Sequence, residues 1–353
     1  MRRTQPGAAT RDRIAKIVFR KAILGTIAVL GMAASPVGGQ APPASSAGTR
    51  QSLDDAWWTG PMLAPSASTL SRGHFLIEPY LFDVTVQGRY DRDGVRRGAA
   101  HANSFGSLTY IEYGLADRVT VGVIPTFSYN TASGYPDSSR IGIGDLTLQA
   151  QYRLTKFHEG SWVPTISVAL QETLPTGKYD RLGERPTDGF GRGAYTTTLG
   201  LFSQTYFWLP NGRILRMRFN VLPAFSNNVT VRDVSVYGTA AGFRGRAEPG
   251  NSVFINAAWE YSLTRRWVLA LDATYRHDGN THVIGHNILN SASPPDLSNI
   301  RLDSGSSEAF GLAPAIEYNL DRNLGVLFGV RLIPAGRNVA FTITPALAIN
   351  FVH

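Results

Sequence analysis

The side chains best placed to act together are charged residues scattered at even spacing through segments of alternating polarity. They are Glu78, Glu112, Asp145, Arg153, Arg216, Arg218, Glu260, Asp272, Arg276, Glu317 and Arg331. Turned to one side of a sheet, they could line an aqueous bore and select solutes by charge. The same arginines and carboxylates could instead pair with one another and fill a narrow bore. Asp145 follows Gly142-Ile143-Gly144 and opens a polar face. It could sit at a mouth as a free carboxylate, or cap the backbone amides of that glycine turn.

Other chemistries find less support. His277, Asp278, His282 and His286 include metal-ligand types, but they fall in a stretch read as a loop that fixes no spacing, so no metal is assigned. Ser128, Ser167 and Ser203 lie on expected strands, and no histidine lies mid-strand to activate them; His74 only opens the first strand. Gly-x-Ser-x-Gly is absent, and Gly142-Ile143-Gly144 leads into a strand, not a phosphate-binding helix. The chain is therefore read as a non-enzyme without cofactors, and a membrane-embedded hydrolase is the weakest alternative. Cysteine is absent, which removes disulfides and thiolate chemistry.

The elements that carry the charged residues are strands. Val119, Val121, Val123, Pro125, Phe127 and Tyr129 alternate with Thr120, Gly122, Ile124, Thr126 and Ser128. Trp267, Leu269, Leu271, Ala273 and Tyr275 alternate with Val268, Ala270, Asp272, Thr274 and Arg276. The alternation outlasts a soluble strand and reaches the roughly 9–11 residues that cross a bilayer. Full charges mid-strand would be desolvated in a sandwich core but not in a wet lumen. The expected fold is all-β, an antiparallel transmembrane β-barrel of 12 strands over 74–353. The strands are expected at 74–86, 104–114, 118–130, 143–154, 163–174, 193–206, 213–225, 251–261, 266–276, 306–318, 324–333 and 339–351. Pro79, Pro125, Pro223, Pro314 and Pro345 fall on the apolar face and predict local irregularity.

A short turn recurs. Glu112-Tyr-Gly-Leu-Ala-Asp-Arg118 returns as Glu260-Tyr-Ser-Leu-Thr-Arg-Arg266 and Glu317-Tyr-Asn-Leu-Asp-Arg-Asn323, with Gln151-Tyr-Arg-Leu-Thr-Lys156 a looser copy. Tyrosine at a strand end suits the headgroup level, so these turns are placed on the periplasmic side. Polar connections at 87–103, 131–142, 175–193, 226–250 and 277–305, with a short one at 334–338, are placed outside.

The basic residues identify an export signal. Residues 1–34 hold Arg2, Arg3, Arg11, Arg13, Lys16, Arg20 and Lys21 against Asp12 alone, six of the eight net positive charges, so the remainder is nearly neutral and no nucleic-acid partner is implied. Ala22 to Ala34 is apolar and is followed by small residues, so 1–41 reads as a secretory signal peptide. Residues 42–73 read as a flexible periplasmic segment without a folded plug, in which Trp57-Trp58 finds no assigned place. Export and a barrel together imply the outer membrane of a Gram-negative bacterium.

Gly142-Ile-Gly-Asp-Leu-Thr-Leu-Gln-Ala-Gln-Tyr-Arg-Leu154, Leu170-Gln-Glu-Thr-Leu-Pro-Thr-Gly-Lys178 and Leu115-Ala-Asp-Arg-Val-Thr-Val-Gly-Val123 resemble a family of outer-membrane proteins associated by name with the meta-pathway of phenol degradation. The resemblance spans most of 70–351 and implies an exported barrel that passes small, aromatic or hydrophobic compounds. The implied partners are outer-membrane lipid, the barrel-assembly machinery and a small-molecule solute. The terminal phenylalanine common in such barrels is Phe351 here, followed by Val352 and His353. The alternative is a structural or surface-interaction barrel with a blocked lumen.

Overall fold

The computed structural model describes residues 50–289 and 296–353. The expected signal peptide, 1–41, and residues 42–49 lie outside them. Twelve strands form the wall: β1 Phe75–Tyr90, β2 Ala102–Ala116, β3 Val119–Ile124 continued by Thr126–Ala132, β4 Leu146–Thr155, β5 Thr165–Leu174 and β6 Thr196–Trp208. They continue as β7 Ile214–Ser226, β8 Ser252–Ser262, β9 Trp267–Asp278, β10 Ser307–Asn319, β11 Leu324–Arg337 and β12 Val339–Val352. Each strand pairs antiparallel with the next, and β12 returns to β1, with Leu76 opposite Val352 and Tyr80 opposite Ala348. The sheet is closed and its wall has no free edge, as lipid requires of a spanning sheet.

The alternation sorts the two faces. Leu81, Leu148, Leu170, Leu201, Phe219, Leu269, Phe328 and Leu347 all point out and are exposed. Such a continuous apolar belt suits lipid and not water. Aromatics gather at both rims: Trp267 against Tyr318 and Phe75 against Phe351 at the short-turn end, and Tyr275 against Phe310 at the other. Trp162, in the turn between β4 and β5, is 90% exposed, the position of an interfacial anchor. Val352 and His353 do not disturb closure, because Phe75 and His353 exchange both backbone hydrogen bonds at 2.9 Å.

Proline acts as expected at one point. Pro125 divides β3, while Pro79, Pro223, Pro314 and Pro345 remain inside continuous strands. The short connection from β11 to β12 turns through Asn338 at φ 49°, a left-handed conformation that asparagine tolerates. Glu172 points outward near its strand end and accepts a hydrogen bond from the Thr197 hydroxyl at 2.7 Å.

Two expectations fail. The stretches 226–250 and 277–305 are not simple loops. They contribute Val229–Arg232, Phe243–Glu248, His282–Leu289 and Asp296–Asp303 to a separate four-stranded antiparallel sheet. Val231, Phe243, Ala247 and Val283 bury its inner face together with Ala194. The short segments were masked by interspersed Gly, Asn and Arg, which read as turn chemistry.

The second failure concerns the segment before β1. Residues 50–73 do not trail as a flexible tether; they run inside the barrel. The segment 50–73 sets out from the short-turn end, where the Gln51 amide donates to Gly212 O and the Trp57 amide to Arg265 O. It rises until Leu63 reaches Asp272 and Pro65 reaches Asn220, both mid-strand. Between Met62, packed with Ala313 and Leu327, and Ala67, packed with Ala169 and Phe202, it crosses the bore. Five residues can span about 17 Å when extended, enough for that crossing. It then descends to Thr69 and Arg72, which both bond Asp117 at the turn after β2.

Placing a charge in the lipid-facing belt tests the sorting of faces. Leu271→Arg, near the middle of β9, is expected to cost about 2–4 kcal/mol. Urea unfolding in vesicles measures it, and an unchanged midpoint would place Leu271 away from hydrocarbon.

Candidate functional site

The bore is built from the inward positions, and at its periplasmic half the wall holds the threaded segment by its backbone. An irregular chain inside a barrel has no ladder partners, so its amides and carbonyls need side chains. Glu317 Oε2 accepts the amides of Thr59 and Gly60 at 2.8 and 3.1 Å. Asp272 Oδ2 accepts the Leu63 amide at 3.2 Å, while its Oδ1 takes Asn256 Nδ2 at 3.0 Å. In the other sense, Arg218 donates to Ala64 O at 2.8 Å and Asn220 to Pro65 O at 3.1 Å. Gln151 donates to Ser66 O and Ser167 to Ala67 O.

Behind these contacts lies an ion cluster. Glu260 is fully buried and bridges two arginines, taking Arg216 Nε at 2.7 Å and lying 3.1 Å from Arg218 Nε. Arg216 also stacks on Trp58, its guanidinium carbon 4.5 Å from the ring centre. Trp58 thus gains the place that sequence did not assign. The cluster is a paired filling, not an open charged lining. Desolvated pairs of this kind are stable only while complete, since removing one partner strands a buried charge.

The recurring turn now has a physical reading. Its first position is Glu112, Gln151, Glu260 or Glu317, and each faces inward. Glu317 and Gln151 bind the segment directly, Glu260 fixes the arginine that binds it, and Glu112 accepts Gln149 Nε2 at 3.0 Å. Sequence reasoning read Glu112, Glu260 and Glu317 as lumen charges. It missed the backbone of 50–73, which Glu317 and Gln151 hold directly and Glu260 holds through Arg218.

The remaining expected residues do not join the cluster. Glu78 faces inward on β1, with the Tyr80 hydroxyl at 3.5 Å. Arg276 pairs with Asp278 two residues on, at the outer end of β9. Arg153 and Arg331 are half-buried and have no ion pair among the described residues, and Arg331 Nε is buried without a partner.

Asp145 belongs to a different structure at the outer end. It does not cap the amides of 142–144. Its Oδ1 accepts the Gly177 amide at 3.0 Å and its Oδ2 the Arg192 amide at 2.7 Å, gathering both ends of the connection 175–195. Thr176 completes the clasp, its hydroxyl donating to Gly144 O at 2.8 Å and accepting the Leu146 amide at 3.0 Å. A Cβ on Gly142 would lie 2.1 Å from the Phe190 ring, so only glycine allows this approach. The Gly-x-Gly-Asp-Leu and Leu-Pro-Thr-Gly stretches are thus two halves of one contact. They anchor a connection whose short turn Pro186–Asp188 lies against the inner face of β3, with Asn130 Nδ2 on Thr187 O at 3.0 Å.

Asp188 latches that turn through the Ser139 amide, at 2.8 Å, and hydroxyl. Burial pushes its carboxyl up, but the Ser139 hydrogen bonds, with Lys178 and Arg185 nearby, outweigh this and hold it below the ordinary 3.8.

The histidines spread out. His277 ends up on β9, whereas His282 and His286 lie on one strand of the outer sheet, His282 hydrogen-bonded to Asp303 and His286 opposite Arg244. The strand supplies the fixed spacing that a loop would lack, yet no group of three or more ligand side chains converges among the described residues. Asp303 is held below the usual carboxylate range by the His282 hydrogen bond, and Arg301 adds to the effect.

Comparison with known proteins gives three findings. A family described as "Putative MetA-pathway of phenol degradation" matches residues 82–344. No curated protein matches by sequence. Among solved structures, the chain is similar to an outer membrane channel from Pseudomonas putida F1, at 15% identity and TM-score 0.63, covering 83% of this chain and 100% of that one. A looser likeness is to the β domain of the Bordetella autotransporter BrkA, at 10% identity and TM-score 0.42, covering 80% and 99%. At 15% identity the likeness to the channel speaks for the fold alone, a closed antiparallel barrel.

Two predictions follow from the geometry. Glu260→Leu leaves two guanidinium groups buried without their carboxylate and is expected to cost about 3–5 kcal/mol in urea unfolding, where a neutral result would deny the pairing its structural part. The Asp188 latch contributes at neutral pH, because a lowered carboxyl is ionised there, and fades as pH falls through that lowered value. The protection factor of the Ser139 amide, corrected for the intrinsic slowing of exchange in acid, should therefore fall as the pH drops below the ordinary carboxyl value of 3.8, and a flat protection profile would dismiss the latch.

Proposed function

The chain belongs to the phenol-degradation family, and on that premise we propose that it is a passive outer-membrane channel for small, aromatic or hydrophobic molecules. The observation that carries this reading is a bore narrowed at both ends by the chain's own elements: Arg50–Gly73 below and the connection 175–195 above. Such a bore passes small solutes and excludes large ones, with selection made by what lines the remaining space. The function we assign is passage, not turnover. The partners in this reading are the surrounding lipid, the machinery that inserts barrels, and the solute.

The crossing between Met62 and Ala67 gives the rival reading its own support. If the segment seals the bore completely, the barrel is structural, and its outer sheet is what meets partners. Conductance across planar bilayers separates the two. The channel reading expects small, steady conductance from the full chain, rising severalfold in Arg218→Ala/Asn220→Ala, which releases two anchors of the crossing. A silent full chain together with a silent double variant, both shown to be inserted, would leave only the sealed barrel.

A further inference from the structure

The inward face changes character along β1 to β3. Near the periplasmic end it carries Glu78 and Glu112; toward the outer end it carries Val84, Val86, Ala102 and Ala132. There the turn Pro186–Asp188 roofs a cavity of about 350 Å³, with Tyr135 at its rim and no charged residue in its lining. The polar groups of Ser104, Asn130 and Thr187 in the lining are already engaged. The Ser104 hydroxyl donates to Asn130 Oδ1 at 2.7 Å, Asn130 Nδ2 donates to Thr187 O at 3.0 Å, and Thr187 O also accepts from Ser138 at 2.7 Å.

From this arrangement we propose that the outer mouth holds a capture site for one small, uncharged, apolar molecule of one or two rings. An apolar cavity of about 150 Å³ accepts benzene, so this one has room for a ring with substituents. A charged solute would lose hydration and find no counter-charge, whereas an apolar one leaves water for a preformed apolar wall. The site is preformed because the Asp145 clasp and the Asp188 latch hold the roof from both sides. The site rests on the passive-channel reading for its purpose, but not for its existence.

The test uses the full barrel in lipid nanodiscs, with 4-fluorotoluene and 4-fluorobenzoate as probes and ¹⁹F NMR line broadening as the readout. Empty nanodiscs correct for partition into lipid. Expected is saturable binding of 4-fluorotoluene and none of 4-fluorobenzoate. Val84→Glu and Ala132→Glu, each verified as folded by its heat-dependent gel shift, should weaken that binding at least tenfold, while Thr230→Glu on the outer sheet leaves it unchanged. Equal binding of the two probes, or binding indifferent to both cavity substitutions, would overturn the site. Flux of 4-fluorotoluene into protein-loaded liposomes is measured in parallel. Pocket-dependent binding without flux upholds the site and removes the channel reading; flux without pocket-dependent binding overturns the site and leaves the channel.

Discussion

The structure depends on how an irregular stretch of backbone is satisfied inside a barrel. The wall strands complete their own hydrogen bonds in a closed ladder, and nothing in that ladder is left to offer Arg50–Gly73. The wall meets the need with side chains: carboxylates where the segment presents amides, and arginine, asparagine and glutamine where it presents carbonyls. Buried acceptors and donors of this kind cost heavily if unpaired, so the segment and the inward charges specify one another.

This reciprocity explains why the bore is charged without being an open charged pore. Glu260 pairs with both Arg216 and Arg218 before any solute arrives, and Trp58 covers the Arg216 face. The outer half is organised differently. There Asp145 and the glycines around it hold the connection 175–195 over the mouth, and along β1 to β3 the inward face turns apolar, while Arg276 and Asp278 pair on β9. The buried ion cluster lies where the chain must be held, and the apolar stretch of β1 to β3 lies toward the outer mouth.

Much of the wall was legible from sequence because a strand that separates lipid from water must alternate, and each of the 12 expected strands is present within a few residues. The repeated turn was legible too, through Glu112, Glu260 and Glu317. What escaped was matter without periodicity. Arg50–Gly73 has no period of its own and looks like a tether, since its order comes from residues 45 to 262 positions away. The outer sheet escaped because its strands are short and broken by Gly245 and Gly285, whose absent side chains let Phe243 pack across them. For Asp145 the sequence offered the amides of 142–144 as partners, whereas those it takes, Gly177 and Arg192, are distant in sequence and close only after folding.

The central claim is that the segment lies within the bore, and the absence of cysteine from the chain makes it directly measurable. A single cysteine at Ala67, which is fully buried, can be challenged with a membrane-impermeant maleimide in intact barrels and after denaturation. The account predicts protection in the folded protein and full labelling on unfolding. Rapid labelling of the folded barrel would mean that the segment lies outside, and the inward carboxylates would then need another partner.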